Sequence, residues 1–365
     1  MSGDRRRAVT VRVYLAALLS LVYLLWVHLL SGPPPSTRRE MAEASRIMAR
    51  AVDAVRYCRE SKGVPIDAEA DPSRTGLIGW EASPITTSTG HLGAKRTSTN
   101  PEFAALVALL LRQAGVRSGD AVAVGASSSF PAFIIATLAA SRAVGAEPLL
   151  IVSLGASEWG ANIPGFNWTD MEDCLRTSGV LDARPVALAL GGDEDTGKDM
   201  DPSGRDLLAS LIQGRGAAFV EEDGLEDNVA RRLGLYDQAC GGRSIAAFVN
   251  IGGSWANMGT NAEVLKLRPG LARDVFIPPP AERGALQAMA ARNVPVIHLL
   301  NVNGLAERYG LPWDPRPLPA PGRTDFAVRA GGRGAREIAV SAGFVLIILL
   351  LAVAGSHRSR FPPTG

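Results

Sequence analysis

Two long apolar runs bracket the chain. Residues 13–30 carry no charged side chain, and residues 338–354 include a stretch from 344 to 351 without a polar side-chain atom. Runs of that length approach one bilayer crossing, and Tyr14, Tyr23 and Trp26 suit headgroup depth. Both are therefore expected to be transmembrane helices. A cleaved signal peptide competes for the first run, because Arg5, Arg6 and Arg7 resemble its basic start. The run is long for that role, however, and Ser-Gly-Pro-Pro-Pro follows it. Arg5, Arg6, Arg7 and Arg12 precede the first run against Arg38 and Arg39 behind it, so residues 1–12 and 355–365 are expected to be cytoplasmic. The prediction is a two-span cell-membrane protein with an extracytoplasmic domain, in contact with the lipid bilayer.

Between the runs the periodicity changes twice. Residues 31–76 read as a stalk, with a helical face of Met41, Ile47, Ala51 and Val55 between 39 and 62. A further helix is expected near Pro101, where Thr99 and Glu102 have capping-box spacing and Gly115 marks the end. From Asp120 onward, short apolar runs alternate with small polar clusters and helical stretches. The runs cover 121–124, 148–153, 186–190, 217–220, 245–250 and 294–299. Strands buried on both faces and alternating with helices mean a doubly wound α/β domain, here over 77–325, with a mostly parallel sheet of about six strands. Residues 326–337, rich in Gly and Arg, read as a tether.

Composition narrows the function. Hydrophobic residues make up 47% and charged residues 20% of the chain, so the middle can bury a core. Without the basic residues of its two ends the chain is slightly acidic, which argues against a nucleic-acid partner. Cys58, Cys174 and Cys240 are widely spaced, so a disulfide is open and a metal cage is not supported. No cofactor is expected. Residues 192–198 nearly match a phosphate-binding loop, but Asp199 replaces the magnesium-holding hydroxyl and Asp193, Glu194 and Asp195 would repel phosphate.

In open parallel sheets ligands bind beyond the carboxyl ends of the strands. Those ends are rich in small polar residues here, which makes Ser157, Asn162, Asp193, Asn250, Gly252, Gly253 and Asn257 candidate ligand-binding residues. Ser127 and Ser129 follow a predicted strand and precede a helix, the context of a nucleophile, and His298 ends a strand on the same rim as a candidate base. Helix capping and a buried, hydrogen-bonded histidine are the plainer explanations. Only four lysines occur, at 62, 95, 198 and 266, so Lys95 beside Arg96 is a candidate carboxylate site, with an ordinary surface pair as the alternative.

The stretches LIGWEASPITTSTGHLGAKRTSTN (77–100), AVAVGASSSFP (121–131), GASEWGAN (155–162), AAFVNIGGSWANMGT (246–260) and PVIHLLNVNGLAERYGLPWD (295–314) resemble a bacterial family, the poly-γ-glutamate system proteins. Gly192, Asp193 and Gly197 are also similar to that family, whereas Lys198 is not, and Ser128 stands where its serine loop has Gly. The resemblance implies a component of poly-γ-glutamate (capsule polymer) biosynthesis or export, with the polymer and the membrane-bound synthase subunits as partners. It implies no reaction. The leading expectation is a factor that binds the polymer or the synthase. The alternatives are a serine hydrolase or acyl transferase acting on the polymer, and an ATP-dependent ligase partner with inverted topology.

Overall fold

The computed structural model describes residues 2–30, 33–182, 184–322 and 340–350. The chain forms two compact units, Met1–Pro33 with Ala327–Gly365, and Pro34–Phe326. In the first, α1 (Ser2–Leu30) carries Tyr23, whose ring stacks on Phe344 at 4.2 Å and whose hydroxyl lies 2.7 Å from Ser341 Oγ. Among the described residues no helix is long and apolar enough to cross a membrane. A span needs about 20 predominantly apolar residues. The second predicted span, 338–354, lies partly outside the described residues, which cover 340–350 of it. The two predicted transmembrane helices are thus corrected, and the two-span placement of the chain falls with them. The expected tether and the tail from 355 also lie outside the described residues.

The second unit opens with α2 (Pro35–Ser61), where Pro35 occupies the first turn that needs no N–H donor. Its buried face includes Met41, Ile47, Ala51 and Val55, so the expected stalk is an integral layer of the domain. Arg59 is buried in its last turn and donates to the carbonyls of Gly76, Ile78 and Pro65. Then come α3 (Leu92–Ser98) and α4 (Glu102–Gln113). The expected capping box does not form. Thr99 ends α3 and donates its hydroxyl to Arg96 O, and Asn100 Oδ1 instead accepts from Glu102 N.

The alternating part follows in order: β1 (Ala121–Ser127), α5 (Pro131–Val144), β2 (Glu147–Ser153), the short hairpin β3 (Asn162–Ile163) and β4 (Phe166–Asn167), then α6 (Trp168–Thr177). β5 (Ala187–Ala189), α7 (Pro202–Gly214), β6 (Ala218–Val220), α8 (Leu225–Cys240) and β7 (Ile245–Ile251) come next. Last are α9 (Trp255–Met258), β8 (Gly270–Ala272), α10 (Ala285–Ala291), β9 (Val296–Leu299) and α11 (Val302–Tyr309).

The sheet has seven strands in the order β6-β5-β2-β1-β7-β9-β8. Six run parallel, at the positions of the six apolar runs, and β8 pairs antiparallel with β9 at one edge. β1 is buried along its whole length, as a central strand covered on both faces must be. From β1 the chain winds outward through β2, β5 and β6, then returns to the other side of β1 with β7. The switch point of the sheet therefore lies at the carboxyl ends of β1 and its two neighbours, where open α/β sheets leave a crevice.

Cys58 of α2 and Cys174 of α6 form a disulfide, and Cys240 is free and buried. The bridge spans 116 residues. In the chain-entropy account, closing a loop of about that length stabilises a fold by about 4 kcal/mol or more. Urea unfolding of the Cys58→Ala, Cys174→Ala double variant is expected to show that loss, and reductant is expected to lower the midpoint of the parent but not of the variant.

Candidate active site

Four segments meet above the carboxyl ends of β1, β2 and β7. Ser127 ends β1, and the loop after it holds Ser128 and Ser129. Ser128 N donates to Ser153 O and Ala161 N to Ser128 O, so the loops after β1 and β2 are laced together by backbone. Gly160 lets them touch: a Cβ there would stand 2.8 Å from Ser129 Cα. The segment before α3 joins from the other side, with Thr87 N donating to Ala156 O and Glu158 N to Ser88 O. The fourth segment is the turn into α9. Together with residues 300–303 after β9, these segments line an open cavity of about 800 Å³ whose wall includes Lys95, Ser127, Ser129, Ser153, Ser157 and Trp255.

Lys95 is the unusual group. Its residue is 3% exposed, and its Nζ donates to Ser129 O at 2.6 Å and pairs with Ser157 Oγ at 2.7 Å, 3.9 Å from the Phe130 ring centroid. Burial outweighs the attraction of Glu158 and brings the amine down to about 7 from an ordinary 10.5. Near neutral pH the group is thus divided between ammonium and free amine. The ammonium donates to both partners, whereas the free amine offers Ser157 O–H a lone pair.

The serines are ordered around this amine. Ser157 N donates to Ser129 Oγ at 2.9 Å, Ser127 Oγ donates to Ser129 Oγ at 2.9 Å, and Ser129 N donates to Ser127 Oγ at 3.2 Å. Ser153, at the end of β2, donates to Asp195 Oδ1. Asp195 is buried against Arg232, which also donates to Asn228 and Ser153, so a buried charged network lies beneath Ser153. Of the loop 192–198, Gly192 reaches the cavity wall, and Asp199 just beyond the loop does too. Lys198 is paired with Glu194, and Asp195 is turned inward, which leaves no anion cradle.

The structure brings together only some of the residues expected from the sequence. Ser127, Ser129, Lys95, Ser157 and Gly253 line the cavity; Arg96, Asn162, Asp193, Asn250, Gly252, Asn257 and His298 do not. Lys95 and Arg96 cannot act as a pair, because neighbours on a helix of 3.6 residues per turn point about 100° apart. Arg96 instead grips Asp314 with two hydrogen bonds of 2.8 and 2.7 Å, which holds the Asp314 carboxyl below its usual range. Asn162 clamps the backbone of Trp80 from both sides. Asp193 is exposed, its backbone N–H bonded to Asp199. Gly252 sits at φ 81°, turning the chain out of β7.

His298 is buried, and its Nδ1 lies 3.0 Å from Asn250 Nδ2; the two residues are register partners on β9 and β7. Burial lowers it to about 4, so the ring is neutral at ordinary pH. None of its hydrogen bonds among the described residues goes to a serine; Lys95 Nζ is the titratable group that reaches the Ser157 hydroxyl. The Asn257 amide packs against Gly125 of β1, where a Cβ would stand 2.5 Å from its oxygen.

No known family model, curated protein or solved structure matches the chain.

The depressed lysine has a thermodynamic signature. The unfolded chain holds the Lys95 proton up to its ordinary 10.5 while the folded chain releases it near 7, so this group makes stability rise with pH between those values. Lys95→Met is expected to fold, to gain about 2 kcal/mol at pH 7, and to lack that rise. Denaturant titrations of parent and variant at pH 7 and pH 9 check both the sign and the slope.

Proposed function

We propose that the domain catalyses acyl transfer, to water or to an acceptor, with Ser157 as nucleophile and Lys95 as its base. The observation that carries this reading is the 2.7 Å contact between Lys95 Nζ and Ser157 Oγ on a cavity wall, with the amine near 7. A base poised near the working pH holds enough free amine to accept a proton and returns it readily. The free amine takes the Ser157 hydroxyl proton as Oγ bonds to the acyl carbon. The resulting ammonium then protonates the leaving group, and water or an acceptor resolves the acyl-enzyme by the same steps in reverse order.

This reading favours the serine hydrolase or acyl transferase alternative over the polymer-binding factor. A carboxylate binder needs a free cationic rim, whereas Arg96 is engaged by Asp314 and Lys95 lies beneath the serines. Poly-γ-glutamate enters this proposal as the acyl donor suggested by the resemblance of the cavity-lining loops, and association with its synthase enters on the same ground. The ligase alternative loses its phosphate loop to the Lys198–Glu194 and Arg232–Asp195 pairs.

Incubation of the full chain with a fluorophosphonate is expected to modify Ser157, and Lys95→Met to slow that reaction at least about a thousandfold near pH 7. The parent's hydrolysis of p-nitrophenyl acetate should rise with pH through about 7, as the amine loses its proton. Modification elsewhere, or full activity in Ser157→Ala, would remove the assignment. Assay of γ-glutamyl amides beside simple esters tests the donor separately.

A further inference from the structure

Ser129 has a hydrogen-bonding pattern that the nucleophile–base pair does not use. A hydroxyl has one hydrogen to donate and two lone pairs to accept with. Both acceptor positions of Ser129 Oγ are taken, by the Ser127 hydroxyl and by the Ser157 N–H, each at 2.9 Å. The Ser129 hydrogen is therefore left to donate, and no protein acceptor receives it among the described hydrogen bonds. Ser129 lines the cavity beside Ser157. The orientation is imposed by two donors from two different loops, and those loops are held by the Lys95 contacts to Ser129 O and Ser157 Oγ.

We infer that Ser129 is a catalytic oxyanion donor, its hydroxyl hydrogen aimed into the cavity to bind the acyl oxygen of a substrate attacked by Ser157. The assignment rests on the acyl-transfer reading and goes beyond it, because it gives Ser129 a role distinct from nucleophile or cap. As Ser157 Oγ bonds to the acyl carbon, the carbonyl π electrons move to oxygen. Ser129 O–H then donates to that oxyanion without giving up its proton, and the C=O re-forms as the leaving group departs. Preorganisation is the physical gain, since the donor already points where charge develops and need not reorient.

The test uses the full chain with p-nitrophenyl benzoate and p-nitrophenyl thionobenzoate, whose sulfur is a poorer hydrogen-bond acceptor than oxygen. Ser129→Ala is expected to lower kcat on the ester about a hundredfold. KM and the midpoint of the pH profile should stay near the parent's, and the parent's preference for ester over thionoester should vanish. Ser129→Thr, which keeps the hydroxyl, should recover most of the rate. Should Ser129→Ala fail to fold, Ser129→Cys carries the same expectation, because a thiol of similar size is a weak donor. An ester-to-thionoester ratio unchanged from the parent, with Ser157 still labelled by fluorophosphonate, overturns the role of Ser129 and leaves the acyl-transfer reading standing. Absence of Ser157 labelling in the parent overturns that reading itself.

Discussion

A buried ammonium that bridges two strand-end loops is the interaction on which the site depends. Lys95 Nζ contacts Ser129 O, beyond β1, and Ser157 Oγ, beyond β2, so one side chain from α3 orders the serines of two loops that backbone hydrogen bonds hold side by side. Taking that charge out of water is expensive, and two hydrogen bonds with a ring face offset only part of the cost. The remaining imbalance appears as the drop to about 7. Removing the charge would relieve the cost to stability while also freeing the Ser157 hydroxyl, so the same contact that weakens the fold gives the serines their order. Such a conflict between local stability and geometry is the usual mark of a functional site.

Support for this arrangement comes from further out. Arg59, buried at the end of α2, ties down the carbonyls of Gly76 and Ile78 and so fixes the segment that leads to Thr86–Thr87. Asn162 then locks that segment through Trp80 and Thr86 Oγ1. On the other flank, the Arg96–Asp314 pair anchors the C-terminal loop whose Trp313 reaches the cavity wall. Beneath, the Asp195–Arg232 pair holds Ser153 and Asn228. A buried ion pair adds little net stability over an apolar substitute, but breaking one half is severe, which makes this network a device for holding one arrangement of loops. The α2–α6 disulfide lies in the scaffold that supports the first of these layers.

The sheet was legible from the chain because the six parallel strands are short apolar runs separated by small-residue clusters, a pattern that burial on both faces requires. β8 was not, since three residues, Gly270–Ala272, on an edge carry no periodicity. The membrane spans, read from apolar length with aromatics at headgroup depth, are corrected, since no helix among the described residues is long and apolar enough to cross a membrane. Within the site, the strand-end rule pointed to Ser127, Ser129 and Ser157. It could not tell which polar residues face the cavity: Asn162, at the start of β3, and Asn250, within β7, are used on backbone and on His298. His298, read as a candidate base with a buried, hydrogen-bonded histidine as the plainer explanation, is buried against Asn250. Lys95 stands out in the sequence, but as one of a cationic pair, and only the helix geometry separates it from Arg96. The pairing of Asp195 with Asn228 and Arg232 leaves no signal in the sequence, because contacts across 33 and 37 residues between a loop and a helix have no local spacing.

The choice of lysine at position 95 is itself informative. Elsewhere in the domain the buried structural cations are arginines, Arg59 and Arg232, both essentially without exposure. A guanidinium suits that work, since it offers five fixed donors and stays charged even where burial lowers its affinity for the proton. The other three lysines are on the surface or partly exposed, paired with Asp170, Glu194 and Glu263. A site that needed only a cation to bridge Ser129 O and Ser157 Oγ would be served by arginine, as the Gly76, Ile78 and Pro65 carbonyls are served by Arg59. An amine differs in one respect that matters beside a serine hydroxyl: it can lose its proton within the ordinary pH range and accept another. The exception at 95 in a chain that otherwise buries arginine is therefore what a proton-transfer role requires and a structural role does not.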